Sequence, residues 1–293
     1  MKTKRNIFIA FILNLCFSVF ELFGGFFTGS IAILSDAIHD FGDSISIGAA
    51  YFLEKLSNKK PNEKYTYGYA RFSILGGLLT TIILLLSSIF VIYNAISRLI
   101  TPTVIHYDGM LVFAVIGLTV NLIATYCTHG GKSINQKAVN LHMLEDVLGW
   151  FVVLVGALVM RFTNWYIIDP LLSIAVALFI IINTVKNLGQ IGNIFVMKTP
   201  KNVDVINLTE DLKRVDKVNG VHHLHVWTID GETHCATLHV VVSEMDSKIT
   251  TAVKNEMREH GISHVTVEMK TEECEEKICT IKQEKPHCHH HHH

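Results

Sequence analysis

The stretch LSDAIHDFGDSISIGAAYFL, residues 34–53, decides the fold. It is apolar enough to cross a membrane, and yet it carries Asp36, His39, Asp40 and Asp43. A carboxylate at the centre of a bilayer costs at least ~2.5 kcal/mol, so an ionisable residue inside a span marks a candidate functional site. On a helix of 100° per residue, His39 and Asp43 stand at i and i+4 and share one face. The same spacing returns in NLHMLEDVLGW, residues 140–150, where His142 and Asp146 are four apart. Two H-x-x-x-D pairs on facing helices present two imidazole nitrogens and two carboxylate oxygens, a four-ligand tetrahedral set suited to Zn²⁺. Counting ~1.5 Å per residue, His39 lies roughly 13 Å from the outer end of its span and Asp146 roughly 12 Å from the inner end of its own, near the midplane.

Composition agrees with a membrane setting. Of 293 residues, 49% are hydrophobic and only 17% charged, which is too apolar for an ordinary soluble domain. A net charge of −1 gives no basic field, so nucleic acid is set aside as a partner. The six cysteines lie in apolar segments or in the C-terminal part without a regular framework, which fits a reducing compartment. The N-terminus MKTKRNIFIAFILNLCFSVFELF begins like a signal peptide but lacks a small-x-small cleavage site and is followed by further apolar runs, so it reads as a first span.

Six segments reach the ~20 apolar residues that a helix needs to cross a bilayer: residues 7–27, 30–56, 72–99, 109–128, 138–162 and 168–188. Lysine and arginine collect on alternate connections, at Lys2, Lys4 and Arg5, at Lys55, Lys59, Lys60, Lys64 and Arg71, at Lys132 and Lys137, and at Lys186, Lys198 and Lys201. The positive-inside rule then puts both termini in the cytoplasm of a multi-pass protein embedded in lipid, and the short loops fit a bacterial plasma membrane. The charged C-terminal part is expected to fold as helix, strand, strand, helix, strand over residues 203–215, 220–229, 233–242, 250–260 and 263–269, punctuated by Asp230-Gly231 and Gly261. The expected architecture is a six-helix transmembrane bundle, residues 1–198, and a cytoplasmic αββαβ domain of the α+β class, residues 199–271, with a Cys/His-containing tail over 272–293. Asn14, Glu21 and Glu145 are polar residues inside spans that read as pathway groups or as interhelical contacts, and Asp36 as a pathway group or a helix cap.

At these residues the sequence resembles the cation diffusion facilitator family of divalent-metal/proton antiporters, in its zinc-transporting branch. The resemblance rests on GSIAILSDAIHDFGD, YTYGYARFSILGG, HMLEDVLGW, IIDPLLSIAVALFI and VHHLHVWTIDGETHCATLHV and covers about residues 7–271. It implies that His39, Asp43, His142 and Asp146 form the transport site, that the chain is a homodimer with a metallochaperone-like cytoplasmic domain, and that metal leaves the cytoplasm by alternating access. Histidine at both first positions resembles the zinc-selective members and so implies Zn²⁺, with Cd²⁺, Co²⁺ and Mn²⁺ as alternatives. Protons are the counter-ion, because imidazole titrates near neutral pH and must be neutral to bind metal.

The same resemblance favours His222, His239 and either His264 or Glu268 as ligands of a regulatory zinc in the cytoplasmic part, and it likens Cys274 and Cys279 to a metal-capturing cysteine pair. The departures are local. Ala70 stands where many relatives have histidine, Tyr65 and Tyr69 stand where some place ligands of a loop metal site, and Glu145 and Trp150 occupy positions that are usually small. Two other classes compete with transport. An intramembrane metalloenzyme needs an open coordination position and a general base, and the H-E-x-x-H signature is absent from the chain, so no enzymatic activity is expected. A membrane zinc sensor would bind metal without flux.

Overall fold

The computed structural model describes residues 2–28, 31–100, 107–163 and 167–273; within these, the side chains at 2, 25–36, 38, 39, 98, 107–114, 153, 157, 160–163, 168, 169 and 172 lie outside the description. The chain divides into two compact units, Met1–Val196 and Met197–His293.

The first unit is built from six helices: α1 (Lys2–Thr28), α2 (Ile31–Ser57), α3 (Arg71–Ile100), α4 (Tyr107–Thr128), α5 (Ile134–Thr163) and α6 (Ile168–Phe195). Among the described residues, four stretches are long and apolar enough to cross a membrane, Thr3–Gly24, Arg71–Ser97, Ile134–Gly156 and Ser173–Phe195, and α4 adds a shorter one, Val115–Thr128. The α2 helix keeps membrane length but interrupts its apolar surface with Asp40 and Asp43. Large apolar side chains such as Phe52, Leu86, Phe90 and Tyr126 point outward, as expected where the solvent is hydrocarbon and each helix satisfies its own backbone. The inner seam packs Ile7 and Ala10 of α1 with Ile47 and Ala50 of α2, Ala124 of α4, and Val139 and Met143 of α5.

The second unit runs α7 (Val205–Arg214), β1 (Val218–Thr228), β2 (His234–Val242), α8 (Ser247–Glu259) and β3 (His264–Lys270). Asp204 and Asp246 cap the two helices by accepting from the amides of Ile206 and Asn207, and of Lys248, which satisfies donors that the first turn leaves free. Between β1 and β2, Asp230 Oδ1 accepts from the amides of Glu232 and Thr233 and Gly231 takes φ 92°, the conformation glycine adopts at no steric cost. The sheet order is β1-β2-β3, with β1 antiparallel and β3 parallel to β2. Leu208 and Leu212 of α7 and Ile249, Val253 and Met257 of α8 cover one face of this sheet, against Val226, Leu238 and Val240. The other face carries His239 with its register partners His222 and Glu268.

Strand alternation places His223 and His225 on one side of β1 and His222 on the other, and here the structure corrects the sequence. The register slips by one residue between His222, opposite His239, and His225, opposite Thr237. His223 takes φ 50°, a β-bulge that swings its ring onto the ring of His239, with centroids 4.7 Å apart.

Candidate metal site

Helix α2 supplies Asp43, and α5 supplies His142 and Asp146. Asp43 Oδ1 lies 3.6 Å from His142 Nε2, and one ligand atom from each of Asp43, His142 and Asp146 lies within 4.8 Å of the others. His142 is 1% exposed and Asp43 5%, and neither ring nitrogen of His142 has a hydrogen-bond partner. A buried polar atom left unpaired costs about 1–3 kcal/mol, and a cation among these oxygens and nitrogens offsets that cost by taking the lone pair. The donor set of one imidazole and two carboxylates suits a borderline divalent metal. His39 lies one turn before Asp43 on α2; its side chain, like that of Asp36, lies outside the described residues.

The neighbouring polar residues join helices. Asn14 Nδ2 of α1 donates to the Asp40 carbonyl at 3.3 Å and to Ser44 Oγ at 3.1 Å. Glu145 accepts from Ser88 Oγ at 2.8 Å and Ser87 Oγ at 3.3 Å, both on α3. Glu21 is buried on α1. Trp150, one turn beyond Asp146, meets Phe17 of α1 edge to face at 5.6 Å. Gly117 of α4 makes room for both rings, since a Cβ there would stand 2.7–2.8 Å from them. In the loop after α2, the rings of Tyr65 and Tyr69 meet at a tilt of 38° with centroids 4.4 Å apart, and Tyr69 Oη accepts from Asn62 Nδ2 at 2.8 Å.

Sequence reasoning passed over Glu54. Near the C-terminal end of α2 its Oε2 accepts from Ser73 Oγ at 2.6 Å, Asn135 Nδ2 at 3.1 Å and Ser133 Oγ at 3.3 Å. The available signal is periodic: Glu54 follows Asp43 by eleven residues and Asn135 precedes Asp146 by eleven, three turns on one face in each helix.

In the second unit, His239 Nε2 lies 3.1 Å from Glu268 Oε2, its register partner on β3. His222 is the register partner on the opposite side, so His222, His239 and Glu268 form one row across the sheet, beside the bulged His223. His264 pairs with Cys235, and four residues of strand set it roughly 13 Å from Glu268. Burial holds the imidazole of His239 below its usual value, against Glu268, which raises it; Lys270, His223 and His222 add to the lowering. Burial likewise lowers His234, against Asp230, and Asn202 Nδ2 donates to its Nε2 at 3.1 Å. Burial and then Asp230 push the Cys235 thiol up. Cys274 and Cys279 lie outside the described residues. A further cluster that the sequence reading missed joins α7 to α8: His260 Nε2 stands 3.2 Å from Asp211 Oδ2 and 3.6 Å from Glu256 Oε1, and Arg214 holds the other oxygen of Asp211 at 2.8 Å. The i, i+4 pair Glu256 and His260 was its visible trace.

Residues 7–189 match the family model described as the cation efflux transmembrane domain, and residues 200–272 match the cation efflux protein cytoplasmic domain. The chain is 33% identical to the "Cadmium, cobalt and zinc/H(+)-K(+) antiporter" of Bacillus subtilis (strain 168), over 99% of this chain and 97% of that protein. It is 32% identical to the "Zinc transporter ZitB" of Yersinia pseudotuberculosis serotype I, over 99% and 96%. It is 29% identical to the "Metal cation efflux system protein CzcD" of Cupriavidus metallidurans, over 93% and 88%. With both parts matched in order along nearly the full length, the chain belongs to the cation efflux family, the cation diffusion facilitators, and is a multi-pass membrane transporter rather than an enzyme.

Proposed function

We propose that this metal efflux protein exports Zn²⁺, with Cd²⁺ and Co²⁺ as further substrates, in exchange for protons. The observation that carries the reading is the triad of buried Asp43 and His142 with half-buried Asp146, in which neither imidazole nitrogen has a hydrogen-bond partner. His39, one turn from Asp43, is the fourth ligand, completing a tetrahedron that leaves no position for an activated water. The names of the relatives support the metals and the proton coupling.

The chemistry of exchange follows from the ligands. Imidazole gives up its proton before it binds metal, so binding on one side releases protons and protonation on the other side discharges the metal. The helices carrying the pairs expose the site to each side in turn, and inward proton flow drives outward metal flow. Both termini face the cytoplasm, in keeping with the lysine and arginine pattern. The protein works as a homodimer, with zinc at the His222, His239 and Glu268 row as a regulatory ligand. Cys274 and Cys279 capture metal for the transporter.

The test is Zn²⁺ flux into proteoliposomes under an imposed pH gradient, comparing the parent with Asp43→Ala and His142→Ala. Flux that follows the gradient and vanishes in both variants is expected. Retained flux in either variant overturns the ligand assignment, and stoichiometric binding without flux in the parent makes the chain a sensor.

A further inference from the structure

The Glu54 cluster has a composition that the transport site does not explain. Its carboxylate is 6% exposed, and every side chain that donates to it is neutral: Ser73 of α3, Ser133 just before α5, and Asn135 in the first turn of α5. No lysine, arginine or histidine pairs with it among the described residues. Ser133 Oγ also lies 2.9 Å from Ser73 Oγ, so its single proton goes either to Ser73 or to Glu54, and Asn135 Nδ2 reaches back to the Ala50 carbonyl of α2 at 2.8 Å. A carboxyl group thus bonded ties three segments together at one end of the bundle. The approach of α5 to α3 at this level is unusually close. A Cβ on Gly76 would stand 2.8–2.9 Å from the Asn135 amide, and one on Gly77 3.0 Å from Ile134.

The position of the cluster gives it meaning. Glu54 lies three turns, roughly 16 Å, beyond Asp43 on α2, and Asn135 lies two turns before His142 on α5. Between these levels the two helices carry Ile47, Ala50 and Val139, all fully buried in the seam core. From the triad toward this end, the order along the seam is metal ligands, an apolar layer, then a hydrogen-bonded carboxylate. An ion cannot pass the apolar layer unless α2 and α5 part, and they cannot part without breaking the bonds to Glu54.

We propose that Glu54, with Ser73, Ser133 and Asn135, is the latch that closes the cytoplasmic side of the transport pathway. Glu54 is a positioning residue. It touches no substrate, and it sets the balance between the closed seam and the state in which the site opens inward. The inference rests on the transporter reading and on the cytoplasmic placement of the C-terminal end of α2.

The test places a reporter in the apolar layer. In full-length protein with its native cysteines replaced by serine, Ala50→Cys is exposed to a membrane-impermeant maleimide, applied from each side of sealed vesicles in separate preparations. The buried thiol of the parent is expected to label slowly. With Glu54→Ala, labelling from the side bearing the C-terminal unit rises about tenfold or more, since losing the hydrogen bonds of the network together carries that weight in a two-state balance. Labelling from the opposite side does not rise. In flux, kcat falls while KM for zinc on the cytoplasmic side does not increase, a split that general loss of packing would not produce. If Glu54→Ala fails to elute like the parent, Glu54→Gln and Ser73→Ala serve, each removing part of the network. Protection unchanged in the folded variants overturns the latch. Faster labelling from the opposite side overturns its placement. Failure of the transporter reading is read separately, as absence of zinc flux in the parent.

Discussion

His142 and His234 show how differently two buried histidines can be used. Neither nitrogen of His142 has a hydrogen-bond partner beside its two carboxylates, whereas Nε2 of His234 accepts from Asn202 and only its Nδ1 is without one. The first has the setting of a metal ligand and the second that of a structural group. Asp43→Asn keeps the shape of the site and removes its charge; zinc affinity by calorimetry is expected to drop at least about tenfold, since a lost anionic ligand outweighs the loss of an outer-shell partner. For His234 and His239 the folded state holds the imidazole below its ordinary value. The unfolded chain therefore binds protons that the folded domain refuses once pH falls below about 6.5. The cytoplasmic unit is expected to keep its stability above pH 7 and lose it on acidification, read as a falling melting midpoint between pH 7.5 and 5.5. His234→Gln should flatten that slope.

At the scale of elements, helix existence was legible and helix length was not. The apolar runs locate the part of each helix that lies in hydrocarbon, and they say nothing about aqueous extensions. Helix α5 begins at Ile134, before the expected 138, through polar INQK, and α6 continues to Phe195, past the expected 188. Those extra turns carry Asn135, which is why the Glu54 cluster stayed hidden. The bulge in β1 was also beyond reach, because alternation in sequence does not reveal where a ladder slips. The grouping of Asp43, His142 and Asp146 was legible because intramembrane charge is rare and the spacing matches the helical repeat. Packing at Gly117 gives an element-scale test. Gly117→Leu pushes against Trp150 and Phe17, and overpacking of this kind costs about 1–3 kcal/mol; a lower melting midpoint in detergent and reduced flux are expected, with zinc stoichiometry unchanged.

The whole molecule is two units with separate hydrophobic cores. One is the seam of Ile7, Ile47, Val139 and Met143, and the other is the layer of Leu208, Leu238, Val253 and Met257. In detergent the protein is expected to have twice the mass of the 32.9 kDa chain by light scattering, and deletion of residues 197–293 is expected to weaken that association. Two cores also mean two cooperative transitions. Calorimetry should resolve one endotherm that moves with acid and another that answers to lipid or detergent, and no single midpoint will describe the protein. A substitution in one core then changes the lifetime of that unit alone, so a damaged cytoplasmic unit can be cleared by proteases while its transmembrane helices remain folded in the bilayer.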